Sequence, residues 1–145
     1  MNEEKKCILA PPLYHYIAKN YGIDKVYLVF NWSKEIAGHL KRKIYSPSSS
    51  FGSAIIFLNS NPSRDLIPDE VTSSSQLFYV LFHEVAHKVL NHKQSDKEAE
   101  EKEATQWALS KFRALEEHWD LDFWLGMDDD EQGEALSHLD LSTKS

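Results

Sequence analysis

The chain has 145 residues, 41% of them hydrophobic and 27% charged, with a formal net charge of −7. This length fits one compact domain, and the negative charge argues against a nucleic-acid surface, which requires clustered Lys and Arg. No apolar run approaches the roughly 20 residues of a membrane span, and a lone cysteine, Cys7, excludes an intrachain disulfide. We therefore expect a cytoplasmic protein that binds neither nucleic acid nor membrane.

The first half of the chain predicts one helix followed by three strands. Pro11 and Pro12 can open the helix, because proline is tolerated at the first helical position, and Gly22 provides a stop. The predicted strands are Val26–Phe30, the more polar Gly38–Tyr45 and Ser53–Asn59, with turn residues over Ser46–Gly52. The last strand is either an edge with which an extended substrate pairs or a buried core strand.

The second half predicts two long helices that pack as an antiparallel hairpin. Ser73 with Gln76, and Ser95 with Glu98, have the spacing of a capping box at the start of each helix. The first helix, ending near His92, is apolar on most sides, as expected of a buried helix. The connection to the second helix is short, which favours antiparallel neighbours.

These elements predict an α+β domain over residues 1–125. It contains an N-terminal helix, a small three-stranded antiparallel or mixed sheet, and the helical hairpin. Residues 126–145 include the run Asp128–Glu131 and are expected to form an acidic, flexible C-terminal tail.

The first long helix carries the pattern HExxH at His83, Glu84 and His87. Residues four apart lie on one face of a helix, so both imidazoles can bind the same Zn²⁺ ion. Glu84 lies about 100° around the helix from His83, where it can accept a proton from the attacking water. The apolar surroundings favour a metal site, because buried imidazoles and carboxylates are costly unless paired or ligated.

A catalytic zinc usually takes three protein ligands, so another element must supply one. The metal lies roughly 10 Å before the end of the first helix, and Glu103 lies about 12 Å along the antiparallel partner. Because these two distances from the turn are similar, Glu103 is predicted as the third ligand, with Glu100 as the runner-up. Glu98 and Glu101 have the character of solvated carboxylates.

Three further residues are weighed for roles at the metal. His92 lies about 180° from His83 on a continuing helix, which disfavours a three-histidine site. A second group that stabilises the oxyanion is expected. Tyr79 and His118 are the candidates, each with a purely structural role as its alternative.

From about Leu13 to Phe112 the chain resembles the ImmA/IrrE-type metallopeptidases. The likeness rests on the leading helix, the segment IIFLN, the HExxH helix, and the motif E-x-E-A-x-x-aromatic-A at residues 101–108. The resemblance implies a zincin-like core, a Zn²⁺ cofactor, and Glu103 as its third ligand. It also implies cleavage of a narrow protein substrate, such as a helix-turn-helix repressor in phage, mobile-element or stress regulation.

Two other functions are compatible with HExxH. One is a regulatory protein that binds its partner with zinc in place but does not cleave it. The other is a DNA-repair protease of the SprT type, which the acidic charge and the E-x-E-A motif disfavour.

Overall fold

A computed structural model describes residues 4–42, 54–90 and 96–143. Within these ranges the chain forms four strands and five α-helices. The strands are β1 (Lys6–Leu9), β2 (Ile23–Phe30), β3 (Gly38–Arg42) and β4 (Ala54–Asn59). The helices are α1 (Pro12–Ala18), α2 (Gln76–Val89), α3 (Lys97–His118), α4 (Leu121–Leu125) and α5 (Asp129–Thr143). The predicted α+β class is confirmed.

The strands form one mixed sheet in the order β1-β2-β4-β3. Strands β2 and β4 pair in parallel, whereas β1 and β3 pair antiparallel on the outside. The predicted number of three strands is therefore wrong. Strand β1 has all four side chains exposed, so its sequence lacks the alternation that reveals a half-buried strand.

The position of β4 corrects the expectation that it provides an edge for a substrate. It lies between β2 and β3, and residues such as Ile56 and Leu58 are fully buried. Its buried-core alternative is confirmed, and β3 is an edge strand in its place. The later part of the predicted strand Gly38–Tyr45 and the turn Ser46–Gly52 lie outside the described residues.

Helix α1 is fixed to both the sheet and α2. Gly22 ends the following short 3-10 helix with φ +77°, the left-handed conformation that glycine adopts without strain. The Tyr14 ring stacks on Phe78 of α2 with centroids 4.4 Å apart. His15 Nε2 accepts a hydrogen bond from the Val26 amide at 3.0 Å. Burial lowers the pKa of His15, which favours the neutral ring that this bond requires.

The two long helices start later than their capping patterns predict. Gln76 forms no capping box with Ser73, because its side-chain oxygen accepts from Arg64 at 2.9 Å, and α2 begins at Gln76 itself. Helix α3 is capped by Asp96, which accepts from the Ala99 amide at 3.2 Å. The predicted cap at Ser95 and the predicted helix end near His92 lie outside the described residues.

Contacts between α2 and α3 confirm the antiparallel hairpin. Tyr79 lies opposite Thr105, and His83 lies opposite Glu101, so positions advance along one helix as they recede along the other. None of the helices in the described ranges has the length and apolar character needed to cross a membrane.

The C-terminal segment is a packed helix where the sequence predicts a flexible tail. Asp128 and Glu131 cap α5 reciprocally, since Asp128 Oδ1 accepts from the Glu131 amide at 2.8 Å and Glu131 Oε1 accepts from the Asp128 amide at 3.2 Å. Buried Gln132 accepts from the Leu13 amide at 3.1 Å and donates to the Trp124 carbonyl at 3.0 Å. The acidic run is therefore a helix start, where negative charge is favourable.

Gln132→Ala is expected to lower the free energy of unfolding by about 1–3 kcal/mol, because it leaves the buried Leu13 amide without its acceptor. Chemical denaturation of the full chain measures this change. Glu134→Ala, at an exposed position of the same helix, is the control and should stay within about 0.5 kcal/mol of the parent. Equal stability of the Gln132 variant would show that the Gln132 hydrogen bonds do not stabilise the fold.

Candidate metal centre

The HExxH residues occupy the C-terminal half of α2, and most side chains within the motif are shielded from solvent. Val85 and Ala86 are inaccessible to solvent, and Glu84 is only 8% exposed. The His83 and His87 rings have centroids 5.0 Å apart. Potential ligand atoms of His83, Glu84 and His87 all lie within 4.8 Å of one another. The structure thus brings the three predicted residues into one cluster.

A carboxylate from α3 completes this cluster, and it belongs to Glu101. Its Oε2 lies 3.1 Å from His83 Nε2, and its Oε1 lies 3.1 Å from His87 Nε2. One carboxylate therefore spans both imidazoles of the motif. The expectation that Glu101 is an ordinary solvated side chain is wrong, although it remains 59% exposed.

Glu103, the predicted third ligand, occupies a different face of α3. Two residues along a helix turn by about 200°, and the Glu103 side chain is exposed. Among the described residues of α3, Lys97, Glu101 and Thr105 line the cavity beside the histidines, whereas Glu103 is not part of that lining. The contacts favour Glu101 over Glu103.

The sequence contained a signal for Glu101 in the buried stripe of α3. This stripe consists of Ala104, Ala108, Phe112 and Leu115. On a helical projection Glu101 lies within about 25° of the centre of that stripe, whereas Glu103 lies about 135° from it. Matching heights and the ImmA/IrrE resemblance both favour Glu103, whereas the direction of the side chain, which decides contact with α2, favours Glu101.

The two histidines and Glu101 form a strongly coupled group. Burial on its own would lower the pKa of His83, but hydrogen bonds that the ring donates to Glu101 and Glu84, together with their negative charges, outweigh this and raise the pKa to about 9. Hydrogen bonds from His83 and His87 hold the pKa of the Glu101 carboxyl well below its ordinary value. The Glu101 carboxylate anion thus lies 3.1 Å from the Nε2 atoms of both His83 and His87.

These atoms form a donor set that fits zinc. Two imidazole nitrogens and one carboxylate are a common ligand set of catalytic zinc sites. Neighbouring ligands of a tetrahedral Zn²⁺ with bonds of ~2.0–2.1 Å are about 3.3 Å apart. The two nitrogen–oxygen separations of 3.1 Å are close to that value. Each separation involves a different oxygen of the same carboxylate, so the distances are those of an ion pair, and it is the chemistry of the donor set that fits Zn²⁺.

Glu84 approaches the cluster from the opposite side of the His83 ring. Its Oε2 lies 3.8 Å from His83 Nδ1, whereas Glu101 meets Nε2. Gly38, the first residue of β3, permits this packing: a Cβ there would lie 3.1 Å from Glu84 Cγ and 3.0 Å from Val80 Cγ1. Because Gly38 has no Cβ, the backbone of β3 packs closely against α2 at Glu84. This packing restricts the positions that the Glu84 side chain can adopt.

An open cavity of about 580 Å³ adjoins the cluster. Its wall includes Tyr79, whose ring centroid lies 5.9 Å from that of His83 and whose hydroxyl lies 3.5 Å from Thr105 Oγ1. His118, the other candidate for stabilising an oxyanion, lines different cavities near the far end of α3. Of these two, Tyr79 is the residue placed at the site. His92 lies outside the described residues.

Comparison with protein-family models, with curated proteins and with solved structures finds no match. The resemblance to the ImmA/IrrE type and the zincin-like core accordingly stay predictions. What supports a metal centre is the arrangement of the chain's own residues.

Glu101→Ala is expected to weaken Zn²⁺ binding by more than the 10–100-fold that is typical of losing an outer-shell partner, because it removes a ligand. Glu103→Ala should leave the affinity within about twofold of the parent. Competition with a chromogenic chelator measures both, and circular dichroism verifies folding. The reverse result, with zinc lost only in the Glu103 variant, would restore the assignment to Glu103.

Proposed function

We propose that this protein is a zinc-dependent endopeptidase in which His83, His87 and Glu101 hold the metal and Glu84 is the general base. The observation that carries the proposal is the meeting of one α3 carboxylate with both imidazoles of an HExxH helix. This cluster opens on a cavity rather than being closed by protein on all sides. A structural zinc site would instead be expected to have four protein ligands.

The chain's residues divide the chemistry among them. Bound Zn²⁺ supplies Lewis acidity, which polarises a peptide carbonyl and acidifies water. Glu84 accepts a proton from the attacking water and passes it to the leaving amine. Its carboxylate is suited to this transfer because it is buried and lies within reach of the cluster through one water. The Tyr79 hydroxyl is the group we assign to stabilise the oxyanion.

Strand β3 is the element we assign to hold the substrate backbone. It is an edge strand that begins with Gly38 at the cavity wall. An extended peptide can add to such an edge through main-chain hydrogen bonds, which bind without regard to side chains. Such pairing would carry a peptide bond past Glu84, since Gly38 packs directly against that residue.

For the substrate we propose a protein with an accessible extended segment. A helix-turn-helix repressor is the kind of partner that the ImmA/IrrE resemblance suggests, and this assignment rests on the resemblance alone. The sheet and cavity support only the more general requirement for an extended chain.

Glu84→Gln is expected to retain zinc near one ion per chain and to reduce peptide cleavage by about 10²–10⁴-fold, the usual contribution of a general base. His83→Ala should lose both zinc and cleavage. The assay incubates zinc-loaded chain with a synthetic peptide library and identifies new amino termini by mass spectrometry. Glu134→Gln, at an exposed position of α5, is the matched control.

Three results would contradict the proposal. A parent chain purified gently in zinc that binds no metal would remove the catalytic centre. Cleavage by Glu84→Gln at the parent's rate would show that Glu84 is not the base. A parent that binds zinc but cleaves nothing, in the library or in repressor proteins, would identify a regulatory binding protein instead.

A further inference from the structure

Two exposed apolar side chains, Ile36 and Leu66, line the cavity that holds the metal cluster. Ile36 is 37% exposed and lies in the loop before β3, and Leu66 is 42% exposed and ends a short 3-10 helix, Arg64–Leu66. Isolated apolar residues are common on protein surfaces. Here two of them, from separate segments, lie at one cavity with His83 and Glu84.

The loop that carries Ile36 is held by a buried amide. Asn59, at the end of β4, is 1% exposed, and its Nδ2 donates to the Ile36 carbonyl at 2.7 Å and to the Ser33 carbonyl at 2.9 Å. The Asn59 backbone amide donates to the Ala37 carbonyl at 2.9 Å. These three bonds fix the backbone on both sides of the Ile36 side chain.

The segment that carries Leu66 is fixed to the same loop. The Ser63 amide donates to the Lys34 carbonyl at 2.9 Å, and the Leu66 amide donates to the Ser63 carbonyl at 3.1 Å. Arg64 donates to the Val71 carbonyl at 2.7 Å and to Gln76 at the start of α2 at 2.9 Å. The two apolar side chains therefore stand on one hydrogen-bonded framework attached to the HExxH helix.

This arrangement has the properties of a prepared binding subsite. Apolar surface left in water is unfavourable, and burying it against another apolar group recovers that free energy. Because the backbone is already held by hydrogen bonds, little conformational entropy remains to be lost on binding. Ala37 and the buried Val80 also line the cavity and extend its apolar wall. The cavity is also lined by two side chains of opposite charge, Glu35 and Lys97.

We infer that Ile36 and Leu66 form a subsite for a large apolar side chain beside the peptide bond to be cleaved. This inference rests on the proposed metallopeptidase function and adds the class of residue that the substrate presents. Asn59 acts as a positioning residue for the subsite, since it holds the loop without reaching the reacting atoms.

Small hydroxamates test the subsite without a known substrate, because the hydroxamate group binds zinc and the remainder probes the cavity. Acetohydroxamate reports the metal centre alone, isocaproyl hydroxamate adds a leucine-like group, and succinyl hydroxamate adds a carboxylate. Calorimetry with the zinc-loaded full chain should show the isocaproyl compound binding about 10–100-fold tighter than acetohydroxamate, as expected for burial of a leucine-sized group. The succinyl compound should show no such gain.

Substitution of the two side chains should remove the preference but not the metal. Ile36→Ser and Leu66→Ser are expected to reduce the isocaproyl advantage several-fold each, while acetohydroxamate affinity stays unchanged. Phe123→Ser, which alters an exposed apolar residue of α4, should bind all three compounds as the parent does.

The binding results distinguish failure of the subsite from failure of the metal centre. Equal binding of the three compounds to the parent would overturn the subsite and leave the metal centre standing. A preference that persists in both serine variants would overturn the assignment to Ile36 and Leu66. Failure of every compound to bind, acetohydroxamate included, would overturn the metal centre and the subsite with it.

Discussion

The contact between the Glu101 carboxylate and the two imidazoles of α2 is the interaction on which the proposed metal centre depends. It links the two long helices through charged and polar groups on the side of α2 that faces the cavity. Partly exposed ion pairs stabilise a fold by no more than about 1 kcal/mol. A single ion pair could supply that much stability, so stability alone does not explain why two histidines and a carboxylate meet at one point. Binding of a metal ion needs several ligands at one point.

The rest of the fold holds this cluster in place and leaves one side accessible. Apolar packing buries α2 against the sheet, so the two histidines have little freedom to separate. Gly38 lets an edge strand approach within van der Waals distance of Glu84. Asn59 then fixes the loop that leads into this strand. Sheet, loop and helix thus define one wall of the cavity, and α3 defines the other.

Much of this could be predicted from local sequence. The HExxH spacing predicts neighbouring side chains on any regular helix, and His83, Glu84 and His87 do cluster. Gly22 and the apolar run of β4 likewise give strong local signals, which the structure confirms. Each of these features is decided within a few residues of the chain.

The features that local sequence does not decide are those that depend on distant partners. Strand β1 forms through backbone hydrogen bonds to β2, and its four exposed side chains give no sequence pattern that predicts a strand. Helix α5 is fixed by Gln132 contacting Leu13, far away in the sequence. The choice between Glu101 and Glu103 depended on how α3 is rotated against α2. The buried alanine stripe indicates that rotation, whereas counting residues from the turn does not.

A crystal structure of the zinc-loaded chain, with anomalous diffraction recorded at the zinc absorption edge, tests whether the two histidines and Glu101 hold the metal. One strong anomalous peak is expected, bonded to His83 Nε2, His87 Nε2 and a Glu101 oxygen at about 2.0–2.2 Å, with a further coordination position open to the cavity. A peak elsewhere, or one bonded to the histidines with Glu101 turned to solvent, would contradict the proposed metal centre.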